Sequence, residues 1–283
     1  MSPDRRNLEH ILKLLDDESP VVKEAVVQEI LKWGPDLERT LLNFPAPLAP
    51  DQKKRIQNIF AEYCREDLRK KWQRWFDLES DEACLEDGLE LLAEFQNGSA
   101  YPVKLKDLLD TLAEEYKKIF PKPDAHTLAD FLFKQKRIRG VETDYYNPAN
   151  SNLVYVIERK QGIPISLSCI FLLVGARLGL KIEGCNFPGH FLARIREGER
   201  IILIDCFNGA KFLRPEDIEN NHLPEVQEIL YGETDAFMIV ARVLHNLIRA
   251  YEQAEDTANG EFMMELLKTL DEHYNGPLDT LEE

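Results

Sequence analysis

The sequence predicts an α+β protein, mostly helical, with a small antiparallel sheet packed on one buried central helix and helical flanks on both sides. Three observations carry this expectation. The run Ser166 to Leu178, SLSCIFLLVGARL, is almost wholly apolar and closes at Gly179. A helix that is apolar all round belongs in a core. After it, Lys181 to Phe187, His190 to Ile195 and Arg200 to Cys206 read as short strands by alternation and β-branched content. On either side of this block, apolar residues recur at helical spacing.

The flanks can be read in order. Leu8, Ile11, Leu12 and Leu15 share one helical face. The acidic turn Asp16-Asp17-Glu18-Ser19-Pro20 then restarts the chain, with Ser19 suited to cap and Pro20 to the first helical position. Val22, Val26 and Ile30 continue to a stop at Trp33-Gly34-Pro35. This is the outline of a HEAT-like hairpin at 7–34, with no second copy to stack on it. Helices are expected at 51–76, 81–96 and 103–119, so residues 1–120 form an all-helical N-terminal region. The aromatic end of the first, Lys71-Trp72-Gln73-Arg74-Trp75-Phe76, reads as a packed helix end.

Pro121 and Pro123 mark a boundary. The α+β core is placed at 125–217. It opens with a helix at 126–137, then a polar loop from Glu142 to Asn152, the apolar helix Leu153-Val-Tyr-Val-Ile, and the sharp turn Gln161-Gly162-Ile163-Pro164. Tyr145 and Tyr146 in the loop either line a cleft mouth or pack on the core. Residues 218–283 form a C-terminal helical hairpin with an acidic tail. Its first helix, Thr234 to Gln253, is expected to be capped by Thr234 and to carry Phe237, Val240, Leu244, Leu247 and Tyr251 on one stripe. Its second helix runs from Glu261 to His273.

Composition narrows the function classes. The 283 residues include 35 Lys and Arg against 51 Asp and Glu, a formal charge of −16. A field of that sign repels phosphates and anionic lipid surfaces, so neither nucleic acid nor membrane is expected as a partner. No apolar run is long enough to span a bilayer, and the polar start has no signal-peptide core, which leaves a cytoplasmic location as the expectation. Cys64, Cys84, Cys169, Cys185 and Cys206 are widely spaced with no CxxC pair, which argues against a disulfide framework and a metal site. No phosphate-cradling glycine loop is present, and no cofactor is expected.

Three positions have the makings of a nucleophile–base–orienter set. Ser166 lies in the first turn of the apolar helix, His190 at the start of the next strand after Pro188-Gly189, and Asp205 at the end of the strand after that. A helix N-terminus favours a developing anion at a nucleophile. A histidine takes its proton, and a carboxylate fixes the imidazole tautomer. Each residue also has a structural reading: Ser166 as a helix cap, Cys169 as a small core residue, and His190 with Asp205 as a buried hydrogen-bonded pair.

The order of these elements resembles the transglutaminase-like superfamily, most closely its SirB-type branch. The residues that carry the resemblance run from Asn150 to Ser168, with Ala176-Arg-Leu-Gly-Leu180, Asn186-Phe-Pro-Gly-His-Phe-Leu192 and Leu203-Ile-Asp-Cys-Phe-Asn-Gly209. Arg242-Val-Leu-His-Asn-Leu-Ile-Arg-Ala-Tyr251 resembles the helical tail of that branch. The resemblance implies a cysteine-protease/transglutaminase-like core with His190 as catalytic histidine and Asp205 as catalytic aspartate. It also implies a nucleophilic cysteine in the first turn of the central helix, where this chain has Pro164, Ile165 and Ser166; Cys169 is three residues on. Two functions therefore compete. One is a non-catalytic or weakly catalytic protein-binding or regulatory module with an unidentified protein partner. The other is a papain-like peptidase or acyl transferase using Ser166 or Cys169 with His190 and Asp205.

Overall fold

In the computed structural model the described residues are 11, 14, 17, 19–31, 49–98, 101–187 and 189–275. Most of the first helix of the HEAT-like hairpin, the stop at Trp33-Gly34-Pro35, Pro188 and the acidic tail beyond residue 275 lie outside them. The described parts fall into two compact units, one within Met1–Lys71 and Glu94–Pro102, the other within Trp72–Ala93 and Val103–Glu283.

The first unit holds α1 (Pro20–Leu31) and most of α2 (Pro50–Trp75). Pro20 occupies the first position of α1, and the Ser19 carbonyl accepts the amide of Lys23. Ile56 and Leu68 of α2 are buried. Lys71 Nζ reaches Asp67 at 2.9 Å and Glu94 at 3.0 Å.

The second unit contains the core. Trp72 and Trp75 are buried, and the Trp75 indole N–H donates to the Cys84 carbonyl at 2.7 Å. α3 (Asp81–Asn97) and α4 (Leu105–Ile119) follow, and α4 buries Leu105, Leu109, Leu112 and Tyr116 along one stripe. α5 (Ala125–Ala129) is capped by Asp124, whose carboxylate accepts from the amides of His126 and Thr127. A π-type turn, Asp130–Gln135, replaces the rest of the regular helix expected at 126–137. Asn152 caps α6 (Leu153–Arg159) through Tyr155 N, and Lys160 ends it in the left-handed region at φ 60°.

The central helix α7 spans Pro164–Arg177, and every residue from Pro164 to Gly175 is buried. It starts two residues before the apolar run because Pro164 fits the first turn, where a missing N–H costs nothing. Arg177 fastens its far end, with both guanidinium Nη atoms on Glu86 at 2.8 and 2.7 Å and Nε on Asp110 at 2.6 Å. Two short strands, β1 (Arg139–Gly140) and β2 (Gln161–Gly162), pair in parallel just before α7. The sequence reading missed them because two-residue strands leave no alternation to detect.

The antiparallel sheet follows, in the order β3 (Glu183–Cys185), β4 (Leu192–Glu197), β5 (Arg200–Asp205), β6 (Lys211–Leu213). β4 begins at Leu192, so His190 stands in the preceding turn rather than on the strand. The central helix packs on β3 and β4. Cys185, Leu192, Ile201 and Leu203 on the sheet cluster with Leu230 of α8 (Pro224–Tyr231), a helix the sequence reading also missed. α9 (Ala236–Gln253) and α10 (Thr257–Asn275) form a packed helical pair. The cap of α9 is Asp235, not Thr234: its Oδ1 accepts the Met238 amide at 2.8 Å, and a carboxylate also suits the positive helix end.

Candidate functional site

The site grows from the entry to α7. Gly162 is buried there, and a Cβ on it would sit 2.6 Å from Ser166 Oγ and 2.7 Å from Val156 Cγ1. Only glycine lets the chain approach that closely. The Ile163 amide donates to Ser166 Oγ at 3.0 Å, and the Ser166 hydroxyl donates to the Ile163 carbonyl at 3.0 Å. Ser166 is 1% exposed. The hydroxyl's one proton and an acceptor position are therefore both spent on the backbone that opens the helix.

Cys169 is fully buried near Cys206, and burial pushes its thiol far above the ordinary value. Burial raises Cys206 to about 12 and Cys185 to about 11 in the same way. All five cysteines are free thiols.

His190 and Asp205 do meet. The turn before β4 carries the imidazole, with His190 N donating to the Phe187 carbonyl at 3.2 Å. The register that sets Ala193 opposite Ile204 and Asp205 opposite Lys211 brings the end of β5 beside it. His190 Nε2 lies 2.8 Å from Asp205 Oδ1, an ion-pair distance, although the ring N–H is not aimed squarely enough at the oxygen for a good hydrogen bond. Asn208, whose role the sequence reading missed, steadies the same carboxylate: its backbone amide donates to Oδ1 at 3.1 Å and its side-chain amide to Oδ2 at 2.7 Å. Burial alone would raise the Asp205 carboxyl; contact with His190 and the Asn208 bonds outweigh it and hold the group below its ordinary value. Among the described residues, no hydrogen bond joins Ser166 or Cys169 to the imidazole.

Beside this pair is a cleft of about 150 Å³, lined by Gly189 and Phe191 on either side of His190 and by Ile163, Pro164 and Ile165 at the entry to α7. The imidazole itself is not in its wall. Tyr145 and Tyr146 form part of the rim, so the first of their two sequence readings holds. Asn150 pins their loop by donating to the carbonyls of Asp144 and Tyr145 at 2.8 and 3.1 Å. Asn147 and Ser151 also line it, and α9 adds Arg242, Asn246, Arg249 and Ala250. The three polar residues of α9 were legible as an i, i+4, i+7 set on one helix face, but nothing in the sequence said that this face meets a cleft. Among the described residues no group of three or more His, Cys, Asp or Glu is placed to hold a metal ion, and no helix is long and apolar enough to cross a membrane.

Comparison with known proteins agrees with this architecture. A family model of the transglutaminase-like superfamily matches residues 101–245. A UPF0162 protein of Xylella fastidiosa (strain Temecula1) is 34% identical over 155 residues, covering 51% of this chain and 53% of that protein. A UPF0162 protein of Vibrio cholerae is 38% identical over 79 residues, 28% of this chain and 29% of its own. F-box only protein 21 of Mus musculus is 34% identical over 125 residues, 41% of this chain and 20% of that protein. The chain thus spans about half the length of the Xylella relative and less of the other two. No solved structure matches it. With the family model covering over half of its residues and UPF0162 relatives supporting the SirB-type branch, the chain belongs to the transglutaminase-like superfamily.

Proposed function

We propose that this chain is a protein-binding or regulatory module built on a transglutaminase-like core, and that its His190–Asp205 pair is structural rather than catalytic. The observation that carries the reading is the commitment of Ser166. Its hydroxyl bonds Ile163 in both directions and is 1% exposed, so no proton is offered to a base. Cys169, the other nucleophile candidate, is wholly buried with a thiol that stays protonated at neutral pH. The mouse relative whose name marks it as an F-box protein carries the similar segment within a much longer chain, which fits a part used for association.

The competing reading, amide hydrolysis or acyl transfer, draws on the intact His190–Asp205 contact. Reactive probes separate the two. The native chain is treated with a fluorophosphonate and with iodoacetamide, and labelled sites are mapped by mass spectrometry. Neither Ser166 nor Cys169 should be labelled in the native chain: Cys169 should react with iodoacetamide only after unfolding, and Ser166, an unactivated hydroxyl, in neither state. Labelling of either in the native state, lost in His190→Ala, would falsify the module reading.

A further inference from the structure

We infer that the cleft beside His190 is an acidic-peptide subsite in which Arg242 and Arg249 hold two carboxylates of an extended partner segment; the inference deepens the module reading and rests on it. The chain carries 51 acids against 35 basic residues. Yet among the described residues neither Arg242 nor Arg249 is paired with a carboxylate. Arg242 makes one long bond, Nη1 to Asn186 Oδ1 at 3.4 Å. Both face the same cleft with Asn246 between them.

Geometry selects the ligand. Arg242 and Arg249 are seven residues apart on α9, about 10 Å along its axis. Alternate side chains of an extended peptide lie on one face about 7 Å apart. Two long guanidinium side chains span that difference, and each matches a carboxylate as a fork. Asn246, midway, has an amide to offer the peptide backbone. Tyr145 and Tyr146, 43% and 53% exposed at the rim, supply rigid contact area at small entropic cost. The overall negative charge does not veto such a ligand. At physiological salt, charges farther off than about 8 Å are largely screened, and the arginines in contact dominate.

The probes are blocked five-residue glycine peptides with glutamate, or glutamine, at the second and fourth positions, fluorescently labelled and titrated into the full chain by anisotropy. The glutamate peptide should bind measurably and the glutamine peptide at least tenfold more weakly. The double variant Arg242→Gln with Arg249→Gln should lose roughly tenfold or more in affinity per arginine. Asn246→Asp, which sets a carboxylate between the two guanidiniums, should weaken binding as well and guards against a folding defect in the double variant. Equal binding of the two peptides, or no binding of either, overturns the subsite. So does unchanged affinity in both variants, or full displacement of the peptide by millimolar inorganic phosphate, which would assign the cleft to phosphate. None of these results touches the absence of catalysis, which the labelling experiment decides separately.

Discussion

Asp205 concentrates the chemistry of single residues in this molecule. It is 7% exposed and held by His190 and Asn208, and its carboxyl sits below the ordinary value. A carboxylate depressed on folding contributes stability that is complete above its unfolded value near 4, and that is lost as pH falls through the lower folded value. Asp205→Asn should therefore cost about 1–3 kcal/mol at neutral pH, as expected for a disrupted buried hydrogen-bond set. The gap between wild type and variant should close on acidification from about pH 5 towards pH 3. Melting temperature as a function of pH checks this, and a gap that stays constant over that range would show that the charge of Asp205 contributes nothing. Ser166 teaches a complementary lesson. Its place in the first turn was legible, but the same residue type in the same place serves as cap or nucleophile depending on where one proton points, and sequence does not encode that direction.

Among the elements, α8 depends most visibly on one side chain. Arg194 of β4 is fully buried, yet Nη1 donates to the Leu230 carbonyl at 2.7 Å, Nε to Glu183 Oε2 at 2.9 Å, and Nη2 lies 2.8 Å from the same oxygen. Burial works against the Glu183 charge, but Arg194 and Arg196 beside it keep its carboxyl below the ordinary value. Arg194→Met fills similar space but leaves the Leu230 carbonyl and Glu183 without their cation. It should destabilise by about 3 kcal/mol, the low end for breaking a buried pair because Glu183 is still able to reach water. Amides of Pro224–Tyr231 should also exchange faster with deuterium. Unchanged exchange there would show that α8 is held by the Leu230 cluster alone. Sequence reading missed this helix: eight residues give barely two turns of periodicity, and the apolar partners of Leu230 lie on strands far off in the chain.

For the whole molecule, the −16 charge is the dominant long-range term. Self-repulsion of that size works against the compact state, and salt screens it, since the Debye length falls from about 30 Å at 0.01 M to about 8 Å at 0.15 M. The melting temperature should rise over that range of sodium chloride. A fall would mean that local ion pairs such as Arg177 with Glu86 and Asp110 outweigh the net repulsion.

The sequence by itself determined the α+β class, the buried central helix and the order of the main strands. These are properties of period and composition, which a chain carries wherever it folds. Only the tertiary structure decided that His190 meets Asp205, that the Ser166 hydroxyl turns back on Ile163, and that Arg242 and Arg249 face a cleft. The first and last depend on a strand register or helix rotation that brings together groups from distant parts of the chain; Ser166 and Ile163 are three residues apart, and there the rotamer of one hydroxyl decides, which no residue pattern records.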